Sequence, residues 1–478
     1  MVRNLVGADW IEVSGPTLPV LNPATGEEID QVPLSPPEAV DAAVAAAVAA
    51  LPGWARTSIM ERVRHMFAYK ALLESHFEEL AALVTRQHGK TLEEARGEVR
   101  RGIEVVDFAC GAPTLLQGRS LRNVSRDVDQ AFARFPVGVC AGIPPFNFPV
   151  MIPLWMFPLA TVAGNTFVLK PSERTPVGAR LLASLFLEAG FPPGVLNVVN
   201  GARETVDALI THRDVSAVSF VGSEPVARHI YATAAGAGKR VQALGGAKNH
   251  IVVMPDADLE LVVPAVLNSA FGNAGERCLA GSVAIGVGKI GNDLSEALVS
   301  AASKLKVGDG SVPGVDIGPV IRKEHRDFVI GCVEQGEREG ALIALDGRAA
   351  KPVTDGKGYF LGPTILDQVR GEMAINQKEI FGPVLSLSYA TSLDAALSQA
   401  NSSALGNMAV IFTSSGKSAR RFQEEVQAGM IGINVPIAQP FAFFPFSGWK
   451  NSFFGDLHAH GTDGVEFYTR KKTVISRW

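Results

Sequence analysis

Apolar and polar positions change their texture along this chain. The first residues alternate in short pieces, and LNPATGEEI reads as two strands around an Asn-Pro…Thr-Gly turn. A helix is expected next. Ser35 can cap it, Pro36 and Pro37 suit a first turn whose N–H groups lack partners anyway, and EAVDAAVAAAVAAL is rich in helix formers. Further helical patterns run from about Ile59 through His88 and from about Thr91 to Ala109. Phe132 to Val139 reads as a strand, and then an alternation begins. VGVCAGIPPFNFP, FVLKPSE, VLNVVNG and VSAVSFVGS are short apolar runs separated by helical stretches such as VGARLLASLFLEAG and ETVDALITH. Apolar runs that alternate with helices predict a parallel sheet with crossover helices, each strand buried on both faces. The alternation restarts at HIVVMPDADLE and continues to about Gly448, which predicts a second α/β unit. The tail, VEFYTRKKTVISRW, alternates like an edge strand with no helix after it, and such a strand can pair with a partner subunit. There is no internal repeat and no low-complexity linker.

At 478 residues the chain exceeds one core, so two or three domains are expected. Its 47% hydrophobic and 19% charged residues are ordinary for a well-packed soluble protein. The 44 basic and 48 acidic residues give a net charge of −4, so no general basic field favours nucleic acid or an anionic membrane. Cys110, Cys140, Cys278 and Cys332 stand far apart, with no CxxC pair. They predict no zinc site and no disulfide framework, and they suit a reducing, cytoplasmic compartment. The start lacks the apolar core of a secretory signal. The most apolar stretch, Pro144 to Leu169, is broken by Pro149, Pro153, Pro158, Gly164 and Asn165, which argues against a membrane span.

Several short motifs carry candidate chemistry, each against a plainer reading. Cys278 sits in FGNAGERCLAG; a lone cysteine is most often a small buried hydrophobe. Here Arg277 precedes it and Leu279-Ala280 could begin a helix, and both features would lower a thiol's pKa and favour the nucleophilic thiolate. Asn147, in PPFNFP, is a turn residue on the plain reading and an oxyanion donor on the functional one, a role worth about 3 kcal/mol per donor. Lys170 and Glu173 follow a strand, where residues line the ligand crevice of a parallel sheet, and a carboxylate there can bind ribose hydroxyls and repel a 2′-phosphate. Gly222 and Ser223 lie between a strand and a helix, a weak phosphate signal without GxGxxG. EIFGPV, Glu379 to Val384, is equally weak alone.

The set is stronger than its members. PFNFP, KPSE, FVGS, a Gly-Gly turn at Gly245 and Gly246, GERC, EIFGPV and PFSGWK resemble the aldehyde dehydrogenase superfamily in order and spacing over nearly the whole chain. The resemblance implies a nucleophile at Cys278 and an oxyanion donor at Asn147. It implies NAD-binding roles for Phe146, Lys170, Glu173, Arg174, Gly222, Ser223, Gly245 and Glu379. The fold class implied is α/β, with two doubly wound domains plus a small β oligomerisation element. Residues 1–119 and 140–248 would form the NAD-binding domain, 249–448 the catalytic domain, and 120–139 with 449–478 the oligomerisation strands of a homotetramer.

One departure matters. Members that hydrolyse their acyl-enzyme carry a glutamate before the Gly-Gly turn as the base for water, whereas VQALGGAKNH has Ala243 and Leu244 there. With GAKNH and FFPFSGWKNSFFG, this gap is similar to the CoA-acylating methylmalonate-semialdehyde dehydrogenase branch. That likeness implies coenzyme A as acyl acceptor, a malonate or methylmalonate semialdehyde substrate, decarboxylation, and acetyl-CoA or propionyl-CoA as product. It also implies that Arg277 and Arg101 bind the substrate carboxylate, although Arg101 reads equally as a solvated helix face and Arg100 competes with it. Two rivals stay open: a hydrolytic aldehyde dehydrogenase using another base such as Glu276, and a non-catalytic family member that acts as a binding protein.

Overall fold

A computed structural model describes residues 1–478. The first of two large sheets has eight strands, and its parallel centre runs Leu196–Val198, Thr166–Leu169, Val139–Ile143, Val215–Val221, Arg240–Leu244. The chain enters this centre at Val139–Ile143, builds outward to Leu196–Val198, then crosses back to Val215–Val221 on the other side. That reversal opens a crevice at the carboxyl ends of the strands. The runs are apolar on both faces because helices cover both: all of Val139–Ile143 and Thr166–Leu169 is buried. Asn4–Val6 and Asp9–Ile11 extend one edge of the sheet and Phe453–Gly455 closes the other, all antiparallel.

The second sheet has seven strands, with Gly281–Val287 and Asn249–Val253 at its centre, and all of its pairings are parallel except that of Leu342–Leu345. A separate antiparallel sheet joins Arg119–Ser125, Val128–Pro136 and Thr469–Arg477, and it leaves Leu121, Val474 and Ile475 exposed.

The structure redraws several expected boundaries. The stretch from Ile59 to His88 is two helices, Ile59–Ser75 and Phe77–His88, broken at His76, whose ring bonds the Leu72 carbonyl. Ser35 does not cap the helix Pro37–Arg56; Pro36 holds the cap position and the Ser35 hydroxyl accepts from Asn4 at 2.9 Å. Phe132 to Val139 contributes to two strands in different sheets, separated at Gly138, whose φ of 136° turns the chain. In the tail, Val465 to Phe467 belong to the helix Gly461–Phe467, so only Thr469–Arg477 forms the terminal strand. Within 449–478, Phe453–Gly455 therefore belongs to the first sheet rather than to the small one.

Met151–Val162, the helix inside the most apolar stretch, is buried at every position and too short to span a bilayer. Pro37–Arg56 is long and apolar enough by composition, but it contains Pro52 and packs Val40, Ala43, Val44, Ala47 and Trp54 into the core.

Candidate active site

Cys278 lies just before the strand Gly281–Val287 of the second sheet and lines a cleft together with residues that follow strands of the first. The helix Leu259–Phe271 ends in a tight turn, Gly272–Gly275, in which Asn273 and Ala274 are left-handed with φ of 56° and 51°. Gly275 is also left-handed, and a Cβ there would come 2.1 Å from the Gly382 carbonyl oxygen, so only glycine lets this turn approach the EIFGPV segment. Asn249 and Asn407 both donate to the Cys278 carbonyl, at 2.9 and 2.8 Å, and fix the backbone beneath the thiol. Leu279 and Ala280 lead into the strand Gly281–Val287 and not into a helix, so no helix N-terminus stands at the sulfur.

The thiol is accordingly not activated in the protein alone. Burial pushes Cys278 up to about 12, and the neighbouring Glu379 charge pushes in the same direction. Arg277 pulls the other way and loses, because desolvation of an anion outweighs one cation that has turned aside. The Arg277 guanidinium reaches Glu94 at 2.9 Å.

Two cavities meet at Cys278. The larger, about 910 Å³, lies in the crevice of the first sheet and is lined by Phe146, Asn147, Lys170, Glu173, Ser223 and Glu379, among others. Gly222 and Gly245 also line it. Lys170 and Glu173 lie 3.3 Å apart just beyond the strand Thr166–Leu169. Burial raises the Glu173 carboxyl, but Lys170 and Arg174 outweigh it and hold the group below its ordinary value. Ser223 occupies the cap position of the helix Glu224–Gly236, with its side chain uncommitted to a cap bond. Glu379 accepts the Ala247 N–H at 2.8 Å, and burial raises its carboxyl to about 7. Arg174 is not brought to this cleft; its Nε lies 3.9 Å from Glu173. A carboxylate beyond one strand, a helix N-terminus beyond another of the same sheet and a long cleft fit a dinucleotide.

The smaller cavity, about 280 Å³, is lined by Cys278 together with Lys90, Arg101, Phe148, Trp155, Arg277 and Phe446, among others. Glu94 and Glu98 also line it. The choice left open between Arg100 and Arg101 is decided here: Arg101 lines the cavity, while Arg100 pairs with Glu74 at 2.7 Å on an exposed face.

Asn147 stands at the junction, fixed at both ends. Its side-chain amide donates to the Glu276 carbonyl at 2.9 Å, and its own carbonyl accepts from Lys90 at 2.6 Å. Lys90 is buried, paired with Glu98 at 2.7 Å, and Glu98 in turn accepts the Val150 and Met151 N–H groups at the start of the helix Met151–Val162. Sequence reasoning missed Lys90, Glu94 and Glu98. Thr91 to Glu94 reads as a capping box, but nothing in HGKTLEEARGEV marks a role at the site, because the contacts to Asn147, Val150 and Arg277 span some fifty to two hundred residues.

The Glu276 side chain points away from the thiol. It accepts the Ile321 N–H at 3.2 Å and lies 3.5 and 3.6 Å from His88 and His325. Complete burial holds its carboxyl well above the ordinary carboxylate range, and its contacts turn it toward Ile321 and the two histidines, away from the position of a base for water. Ala243 and Leu244 are buried strand residues.

The aldehyde dehydrogenase family model matches residues 10–474. Malonate-semialdehyde dehydrogenase 2 of Geobacillus kaustophilus (strain HTA426) is 54% identical over 478 residues, covering 100% of this chain and 99% of its own. The methylmalonate-semialdehyde dehydrogenase of Oceanimonas doudoroffii superposes with a TM-score of 0.98 at 48% identity, over 100% of this chain and 98% of its own. A putative methylmalonate-semialdehyde dehydrogenase from Sinorhizobium meliloti 1021, solved in complex with NAD, gives a TM-score of 0.98 at 44% identity, over 99% and 97%. The chain belongs to the aldehyde dehydrogenase family.

Proposed function

We propose that this protein oxidises malonate or methylmalonate semialdehyde with NAD and passes the acyl group to coenzyme A. The observation that carries this reading is the cavity behind Cys278, which holds two arginines and admits a small aldehyde bearing a carboxylate. The names of the relatives support the same substrate class. Arg101 and Arg277 bind that carboxylate, since guanidinium forks suit it.

The Cys278 sulfur, once deprotonated, attacks the aldehyde carbon, and the carbonyl electron pair moves onto oxygen. The free N–H of Asn147, held in place through Glu276 and Lys90, stabilises that alkoxide. NAD, when bound, would supply the hydride acceptor, and Glu173, Lys170, Ser223 and Glu379, which line the larger cleft, would hold it there. The alkoxide collapses as hydride leaves, and Cys278 is left as a thioester. The bond from the α-carbon to the carboxylate then breaks. Its electrons pass into the thioester carbonyl, CO2 departs and a solvent proton reaches the α-carbon. The coenzyme A thiolate attacks the thioester carbonyl, and Cys278 leaves as thiolate. The product is acetyl-CoA or propionyl-CoA.

The exposed three-stranded sheet offers an edge for a partner, and we place the protein in the cytoplasm as a homotetramer. Four free cysteines suit that compartment. Light scattering that gives a monomer at micromolar concentration would remove the tetramer.

Arg101→Leu and Arg277→Leu test the substrate class. Each should lower kcat/KM with malonate semialdehyde about 10–100-fold, the range for hydrogen bonds to charged groups, and leave propanal far less affected. Equal losses on both aldehydes would contradict it.

A further inference from the structure

The cavity behind Cys278 carries three cations, Lys90, Arg101 and Arg277, and two carboxylates, Glu94 and Glu98. Lys90 is matched by Glu98 at 2.7 Å and Arg277 by Glu94 at 2.9 Å. Arg101 reaches Glu104 at 2.8 Å, but that carboxylate is not part of the cavity wall, and both side chains are about a third exposed. Arg101 is thus the one cation of the three whose partner carboxylate lies outside the cavity. Arg277, next to the nucleophile, is already occupied by a carboxylate of the protein itself.

Glu94 does more than neutralise. One oxygen accepts both the Arg277 guanidinium at 2.9 Å and the Asn273 N–H at 2.6 Å. The other accepts the Thr91 N–H at 3.1 Å and closes the cap of the helix Leu92–Cys110, which carries Arg101. Asn273 passes the contact on, donating its side-chain amide to the same Glu276 carbonyl that holds Asn147. A single carboxylate thus touches the cap of the Arg101 helix, the Arg277 fork and the turn that fixes the amide opposite the thiol.

We infer that Glu94 is a specificity-determining residue that shares Arg277 with the substrate and weakens its hold on the substrate carboxylate enough for CO2 to leave. This rests on the carboxylate-bearing substrate proposed above. A full guanidinium charge stabilises a bound carboxylate, and that stabilisation vanishes when the carboxylate becomes neutral CO2 with its bonding electrons left on the α-carbon. Tight binding by an unshared Arg277 would therefore lower the ground state more than the transition state. Sharing Arg277 with Glu94 reduces that loss.

Glu94→Gln keeps the length and an acceptor, and glutamine serves in the same type of cap, so the helix should stand. With malonate semialdehyde, in the presence of NAD and coenzyme A, KM should fall and kcat should fall, each about tenfold, with slower release of 14C-labelled CO2 from the carboxyl-labelled substrate. With propanal, which has no carboxylate, KM should not fall, and kcat should fall by a clearly smaller factor than with malonate semialdehyde. A merely structural role would lower turnover of both aldehydes by the same factor, raise KM or lower the melting temperature, and any of these would overturn the inference, as would unchanged constants on both substrates. Thr91→Ala separates the cap from the charge: it should lower the melting temperature without the paired fall of KM and kcat. The two readings fail differently. If Arg277→Leu harms both aldehydes equally, the carboxylate-bearing substrate is wrong; if Arg277→Leu is selective and Glu94→Gln is silent, only the role of Glu94 is wrong.

Discussion

Asn147 donates its side-chain amide to the main-chain carbonyl of Glu276, two residues before Cys278, at 2.9 Å. One amide hydrogen is thereby committed to the protein, and the other has no protein acceptor on a side chain that lines the larger cavity beside Cys278. This contact fixes the donor relative to the nucleophile through the nucleophile's own loop, so the two cannot drift apart independently. Preorganisation of this kind is what gives an oxyanion donor its effect.

The thiol should be dormant in the protein alone. Burial pushes Cys278 up to about 12, so its thiolate is scarce at neutral pH. Alkylation by iodoacetamide without NAD should be slow at pH 7 and should accelerate with pH to beyond pH 10, about tenfold per unit. A plateau reached near pH 7 would contradict it.

Glu173 should select NAD over NADP, because a carboxylate lining the cleft beyond the strand Thr166–Leu169 can accept ribose hydroxyls and would repel a 2′-phosphate. Glu173→Gln should narrow the preference about tenfold or more, measured as the ratio of kcat/KM for the two cofactors. Equal efficiency with both in the parent enzyme would count against the assignment.

Glu379 should make the fold pH-sensitive in a definite direction. Its carboxyl is raised from 4.5 to about 7 by burial, so folding disfavours the ionised form. The cost is absent below about pH 4.5 and complete above about pH 7, where it amounts to about 3 kcal/mol. Stability lost through this group therefore grows as pH rises across that window. Glu379→Gln removes the term, so the melting temperature of the variant relative to the parent should climb between pH 5 and pH 8. A constant difference across that range would show that Glu379 does not titrate there.

Much of this architecture was legible in the sequence, for identifiable reasons. The runs VGVCAGI, FVLK, VLNVV and VSAVSFV are apolar on both faces because buried parallel strands must be, and each became a strand of the first sheet. The order of the motifs placed Asn147, Lys170, Glu173, Ser223 and Glu379 around one cleft. What was not legible is tertiary. Arg277 precedes Cys278 in the chain, yet its charge is spent on Glu94, so the expected acidic thiol does not appear. Lys90 and Glu98 form a buried ion pair that no local pattern distinguishes from a solvated helix face. The return of Phe453–Gly455 to the first sheet follows from pairing between distant segments, which periodicity along the chain cannot express.

The central claim is that the Cys278 thioester is emptied by coenzyme A and not by water. Ala243 and Leu244 stand where a base would be expected, and the Glu276 carboxyl is buried and bonded to the Ile321 N–H. General-base help is typically worth about 10²–10⁴-fold, so its absence should slow hydrolysis by about that much, whereas a thiol is partly ionised near neutral pH and intrinsically more nucleophilic. The direct measurement is rapid mixing of the enzyme with malonate semialdehyde and NAD, following NADH by absorbance with and without coenzyme A. The account predicts a burst of about one NADH per Cys278, then a slow phase that coenzyme A accelerates, with acetyl-CoA as product and no burst from Cys278→Ala. Steady turnover at full rate without coenzyme A would contradict it and return the protein to the hydrolytic branch of the family.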